Sequence, residues 1–186
     1  MVFDVGGGAG NGPERTTLAG YQVVIWFSGD KWGGVGNPSA GPNKADESNL
    51  AWFLMRGGRL FLSSQDYLYD MGLTQFGRQA LGLRGFRNDA GDYSSVVGLA
   101  GDPIGSAFPD PLPLSYPFAD LSDVIGGRGT GVSTCFEETN GHGAGLDRDY
   151  DPFKTVFFAF PWEAIHNADP ANGVAVLDEI VSWLAP

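Results

Sequence analysis

The run at residues 156–160 (VFFAF) constrains this chain more than any other feature. Five successive apolar residues cannot alternate between core and water, so a strand built from them is buried on both faces. Pro161 stops the run, and Trp162 and Glu163 follow at once. A second stretch repeats the pattern. Leu60, Phe61 and Leu62 follow Gly57 and Gly58; then Ser63, Ser64, Gln65 and Asp66 arrive together, too polar for a core. Buried strands running into polar turns are the parts from which open α/β sheets build binding sites.

The remaining segments supply matching pieces. Residues 21–27 (YQVVIWF) read as a buried strand, β-branched and aromatic. Ser28, Gly29 and Asp30 close it, and a Gly/Pro loop occupies residues 32–42. Residues 45–55 read as a helix, with Asp46 and Glu47 suited to its N-terminus and Gly57-Gly58 ending it. A strand at 59–63 and a short helix at 74–81 follow. The stretch 84–123 is dense in Gly, Pro and Asp, with short strands expected at 96–99 and 112–116. Residues 131–137 and 156–160 form the next strand pair, separated by a polar turn at 138–151. Residues 172–184 make an amphipathic helix with Val174, Leu177, Ile180, Val181 and Leu184 on one face. Residues 2–5 (VFDV) read as a short strand. The glycine-rich loop at 6–12 lacks the lysine of a phosphate-binding loop. Strands alternating with helices predict an α/β fold: a mainly parallel sheet with helices on both faces.

At 186 residues the chain is one domain, large enough to bury a core. It contains no apolar window of about 18 residues, the length that spans a bilayer. Its first residues have neither the basic nor the apolar region of a signal peptide. The net charge of −11 opposes phosphate backbones and anionic lipid, so neither nucleic acid nor membrane is an expected partner. The single cysteine, Cys135, argues against an internal disulfide and a multi-thiolate zinc site.

The phrases YQVVIWFSGD, GGRLFLSSQDYLYD and FFAFPWEAI, with a C-terminal helix ending in WL, resemble the class I glutamine amidotransferase-like superfamily. The nearer resemblance is to amidotransferase-like modules of large secreted bacterial proteins. It implies a flavodoxin-like three-layer sandwich and an extracellular setting. It also implies that the chain begins one βα unit late. An open sheet edge would follow, and with it a two-fold homodimer. By the same resemblance Gly29 stands at the oxyanion-hole glycine, Ser64 at the nucleophile, Pro161 at the histidine and Glu163 at the glutamate. The departures remove glutaminase chemistry. Leu62 and Asp66 occupy the small-residue positions of the strained elbow. Proline cannot accept a proton, and a serine without a base is not activated.

What remains at the strand ends is a set of candidates with two readings each. Ser64 is a nucleophile or a hydroxyl that satisfies turn backbone. Asp66 and Glu163 are an acid and base (or nucleophile) for a glycosidic bond, or they cap helices. Gly29, Asp30, Trp32, Gln65, Tyr67 and Trp162 would line the binding surface, the aromatic rings offering flat faces to a carbohydrate or small ester. A Cys135–His142 dyad oriented by Glu137 or Glu138 is opposed by a buried structural cysteine and a surface histidine. Asp147, Asp149 and Asp151 have the spacing of the first three ligands of a calcium loop. The position of an EF-hand glycine is Pro152, so an irregular calcium site competes with a solvated acidic turn. No other cofactor is expected. The leading expectation is a catalytically degenerate structural or binding module, and the alternative is a small hydrolase working with a carboxylate pair.

Overall fold

The computed structural model describes residues 10–90 and 93–185. The expected strand at 2–5 and most of the glycine loop after it lie outside the described residues. In chain order the elements are α1 (Arg15–Leu18), β1 (Val23–Phe27), α2 (Lys44–Leu54), β2 (Arg59–Ser63), α3 (Tyr67–Met71) and α4 (Gln75–Gln79). Then come β3 (Leu83–Arg87), β4 (Ser95–Gly98), a 3-10 turn (Gly105–Ala107), β5 (Leu112–Pro113), β6 (Val124–Gly127) and β7 (Val132–Glu138). The chain closes with β8 (Gly143–Tyr150), β9 (Phe153–Phe158), α5 (Trp162–Ala168) and α6 (Pro170–Leu184).

Two-sided burial of β2 and β9 organises the layers. Leu60, Leu62 and Phe157 pack with Leu50, Phe53 and Leu54 of α2. Their strand neighbours Phe61, Val156 and Phe158 face the other way, onto Ile165 of α5 and Val176, Ile180 and Leu184 of α6. The result is the three-layer α/β sandwich expected from the sequence. The main sheet has seven strands in the order β1-β2-β9-β8-β7-β4-β5. Its core, β1-β2-β9, is parallel. Antiparallel pairing extends it through β8, β7, β4 and β5. A separate antiparallel pair joins β3 to β6.

Local chemistry sets the element ends. Asn43 and Asp46 form a reciprocal capping box on α2. The second Asp46 oxygen accepts from the Gly12 amide at 2.7 Å, which ties the chain's entry to the helix. After α2, Gly57 adopts φ 87°. Gly58 then lies so close to the Phe53 ring that a Cβ would collide with it.

Four expectations need correction. The strand at 21–27 is not buried on both sides. Among the described residues β1 pairs only with β2, so Ile25 and Phe27 remain 40% and 37% exposed. The polar turn at 138–151 contains a full strand, β8, which separates β7 from β9. Glycine and aspartate are poor strand formers, and here tertiary pairing on both sides overrides them. The buried stripe of α6 is Gly173, Val176, Ile180 and Leu184, while Val174 and Val181 are exposed. Gly173 lets the backbone of α6 approach His166, where a Cβ would not fit. Finally, the strand at 112–116 shrinks to Leu112–Pro113.

Phe158 is the hub of the second core layer. Its ring stacks on Phe160 at 4.8 Å and meets Phe61 and Phe136 edge-on at 5.0 and 5.3 Å. Phe158→Ala is expected to cost about 3–5 kcal/mol of stability in denaturant unfolding. Ile25→Ala on the exposed edge is expected to cost about 1 kcal/mol or less. Equal losses at the two positions would contradict the two-sided burial of β9.

Candidate functional site

Because β1, β2 and β9 are parallel, their carboxyl ends reach one rim. The rim is stitched by its own polar groups. The Ser28 amide donates to the Ser63 carbonyl at 3.2 Å, and the Ser64 amide to the Phe158 carbonyl at 3.1 Å. The Ser63 hydroxyl donates to the Phe160 carbonyl at 3.0 Å and accepts from the Trp162 amide at 2.8 Å. It therefore joins the end of β2 to the start of α5.

Ser64 is equally committed. Its hydroxyl donates to the Ala40 carbonyl and accepts from the Tyr67 amide at 3.0 Å. That arrangement fits the turn reading and leaves no proton relay for a nucleophile. Gln65 spans to the segment at 119–121, donating to the Ala119 carbonyl at 3.1 Å and accepting from the Leu121 amide at 3.2 Å. Tyr67 is fully buried, and its hydroxyl donates to Glu47 at 2.6 Å. Trp162 lies between Phe27 and His166, each ring 5.1 Å away, and its indole N–H donates to the Gly173 carbonyl at 3.0 Å. Gln65, Tyr67 and Trp162 are thus internal braces rather than the ligand-facing surfaces expected of them.

The end of β1 stays open. Gly29 adopts φ 56° with nothing near its missing Cβ, Asp30 pairs with Lys31 at 2.6 Å, and Trp32 is 47% exposed. Behind them Asp70, which sequence reasoning missed, holds the Gly/Pro loop. It accepts from the Gly34 and Ala40 amides and the Ser39 hydroxyl, each at 3.1 Å. Gly33 at φ 74° approaches that carboxylate too closely to carry a side chain.

Asp66 and Glu163 follow the neighbouring parallel strands β2 and β9. Asp66 starts α3 without capping it. It is 3% exposed, and burial pushes its pKa up to about 6, with the charges of Asp89 and Asp70 adding to the rise. Its buried acidic companion is Asp123, a residue absent from the sequence-based candidates. Asp123 is 1% exposed, and its pKa is pushed up to about 8, by burial first and then by Asp89 and Asp66. The Asp123 amide donates to the Ala159 carbonyl at 2.9 Å, which docks Asp123 at the end of β9. The Asp89 amide donates to Asp123 Oδ1 at 3.0 Å. Glu163 sits in the first turn of α5, and burial raises its pKa.

Two further candidates change meaning. Cys135 is fully buried, its thiol pushed well up by burial and by the neighbouring carboxyls of Asp147 and Asp102. His142 instead contacts Glu138, Nδ1 to Oε1 at 2.6 Å. A thiolate dyad has no support there. The Asp147–Asp149–Asp151 run is not a loop. Asp147 is buried on β8 beside Asp102, Asp149 pairs with Lys154 at 3.4 Å, and Asp151 enters the turn before Pro152. Along a strand such carboxylates spread out rather than converge. Among the described residues no group of three or more His, Cys, Asp or Glu side chains could hold a metal ion.

No family model and no curated protein matches the chain. Solved structures do. A ThuA-like protein from Bacteroides uniformis superposes with a TM-score of 0.61 at 11% identity, over 92% of this chain and 72% of that one. A cytoplasmic protein from Salmonella typhimurium gives 0.61 at 12% identity, over 92% and 75%. A β-galactosidase from Rahnella gives 0.56 at 15% identity, over 88% of this chain but 23% of its own. These likenesses show the fold: a flavodoxin-like α/β sandwich.

The buried acids set a pH dependence with a definite sign. Asp66 and Asp123 have folded pKa values of about 6 and about 8, above the ordinary aspartate value near 4. From about pH 4 to pH 8 the folded protein holds protons that the unfolded chain releases, so stability falls as pH rises. In a chelating buffer, Tm is expected to be highest at mildly acidic pH and to drop by several degrees toward pH 8. Asp123→Asn is expected to flatten the drop. A Tm that rises over this interval would contradict the burial of both acids.

Proposed function

We propose that this chain is a catalytically silent amidotransferase-like module that binds or scaffolds rather than turns over a substrate. The observation that carries the reading is the bonding of Ser64, whose hydroxyl is spent on the Ala40 carbonyl and the Tyr67 amide. Pro161, at the position of the base, cannot take up a proton. The strand-end rim is further occupied by the Gln65 bridge to Ala119 and Leu121. The 23% of the β-galactosidase chain that it spans supports its use as one module of a longer protein. The open end of β1, with Gly29, Asp30 and exposed Trp32, is the surface we assign to a ligand of carbohydrate type. The edge of β1 left unpaired among the described residues carries neither proline nor charge (VVIWF), the devices that normally protect an edge. We assign it to pairing with a second copy.

The hydrolase reading has one observation in its favour: Asp66 holds its proton toward neutral pH at the strand ends, as a general acid must. With Asp66 97% buried, the silent reading is preferred.

Purified protein is expected to release no ammonia from glutamine and no chromophore from aryl glycosides or esters. Release that is lost in Ser64→Ala or Asp66→Asn would contradict the silent reading. Light scattering is expected to give twice the chain mass of 19.7 kDa, and Ile25→Lys to restore the monomer. A monomer at high concentration would reject the edge-paired dimer.

A further inference from the structure

The segment at 99–107, between β4 and β5, is closed over β7. The Leu99 amide donates to the Cys135 carbonyl at 3.0 Å, and Gly105 comes so near that carbonyl that a Cβ would collide with it. Ile104 and Cys135 are fully buried in one apolar cluster with Phe136. Asp102 shapes the turn with one oxygen: its Oδ1 accepts from the Ile104 and Gly105 amides at 2.9 and 2.7 Å. Asp147 comes from β8, two residues after Gly145, where a Cβ would press on the Cys135 sulfur. Residues two apart on a strand share a face, so Asp147 stands on the Cys135 side of the sheet.

Each acid buries its second oxygen without a donor: Asp102 Oδ2 and Asp147 Oδ2 have no partner. The two carboxyls are within hydrogen-bond reach of each other. Ionised carboxylates only accept, so a bond between them forms only when one carries a proton. Burial raises the Asp147 pKa most, followed by the charge and hydrogen bond of Asp102; the Ser133 amide opposes the rise and Asp149 adds to it. The other titratable neighbour is the Cys135 thiol on β7, itself pushed up by both acids. Among the described residues no cation pairs with either acid. The 99–107 stretch carries no charge besides Asp102, and Lys154 of β9 pairs with Asp149.

We infer that Asp102 and Asp147 share one proton that latches the 99–107 turn over β7, and that loss of this proton lets the turn lift and uncovers Cys135. The latch goes beyond the proposed scaffold role and does not depend on it. The closed pair keeps a proton that the lifted, hydrated pair releases above the ordinary aspartate value near 4. The latch is therefore firm in acid and loosens as pH rises.

Cys135 is the chain's one thiol, so its labelling reads the latch at a single site. The rate of reaction with 4,4′-dithiodipyridine in the unfolded chain, divided by that in the folded chain, gives a protection from which the thiol's own ionisation cancels. In the wild type this protection is expected to fall at least about tenfold from pH 5 to pH 8. Asp147→Asn and Asp102→Asn each give the pair a permanent hydrogen to donate, and in both the protection is expected to stay high and flat. Asp123→Asn is expected to keep the wild-type fall, because the turn lifts without unfolding the chain. Hydrogen exchange at the Ile104 and Gly105 amides, corrected for intrinsic exchange, is expected to follow the same course with pH. Protection that is constant with pH in the wild type would overturn the latch. A fall that persists in both variants of the pair would overturn it in favour of other acids. A fall that vanishes in Asp123→Asn would overturn it in favour of unfolding of the whole chain.

Discussion

The structure depends on the burial of both faces of β2 and β9. Adjacent strand positions point to opposite sides, so Phe157 and Phe158 demand two separate apolar layers. Helix α2 provides one and α6 the other. Pairing β1, β2 and β9 in parallel then follows, since the helical crossover between β1 and β2 places α2 on the first layer. It also brings every polar residue after those strands to the same rim. The function of the rim is therefore a consequence of how its polar groups are satisfied. In this chain they are satisfied from within: Ser63 binds α5, Ser64 binds the loop at Ala40, and Gln65 binds the segment at 119–121.

That internal bracing has an electrostatic counterpart. The chain carries a net charge of −11, and several of its buried acids have no basic partner among the described residues. Asp66 with Asp123 is one case, and Asp102 with Asp147 beneath Cys135 is another, both with an oxygen left unbonded on each carboxyl. A buried carboxylate without a counter-charge takes up a proton or a cation. The fold is thus coupled to solution pH through groups that sit against its sheet rather than on its surface.

Much of the architecture was legible in the sequence, where local and tertiary demands agree. The strand at 59–63 stands where glycine punctuation precedes an apolar run. The helix at 45–55 stands where Asp46 and Glu47 favour an N-terminus and Gly57-Gly58 ends it; the Asn43 cap shows only in the structure. The strand β8 was hidden because Gly143, Gly145, Asp147 and Asp149 have turn chemistry, and only pairing with β7 and β9 makes them extended. The site was less legible. Ser64 and Asp66 stand out in the sequence, because polar residues abruptly ending a buried strand are conspicuous. Their partners are set by long-range contacts that no local pattern encodes. Gln65, Tyr67 and Trp162 have the residue types of a binding surface and spend them on internal bonds. Asp123 lay in a stretch dense in Gly, Pro and Asp, where nothing marks one aspartate as buried. Asp70 shows the same limit: its role depends on a loop thirty or more residues earlier.

The central claim is that the Ser64 hydroxyl, at the strand-end rim, serves the backbone rather than a reaction. It is tested most directly by chemical reactivity at Ser64, which needs no knowledge of substrate. Incubating the folded protein with a fluorophosphonate, and separately with an electrophilic glutamine analogue, and then mapping adducts by mass spectrometry reads that reactivity. The account predicts an unmodified Ser64 with both reagents. A stoichiometric adduct on Ser64 that forms in the folded protein and disappears on unfolding would contradict it.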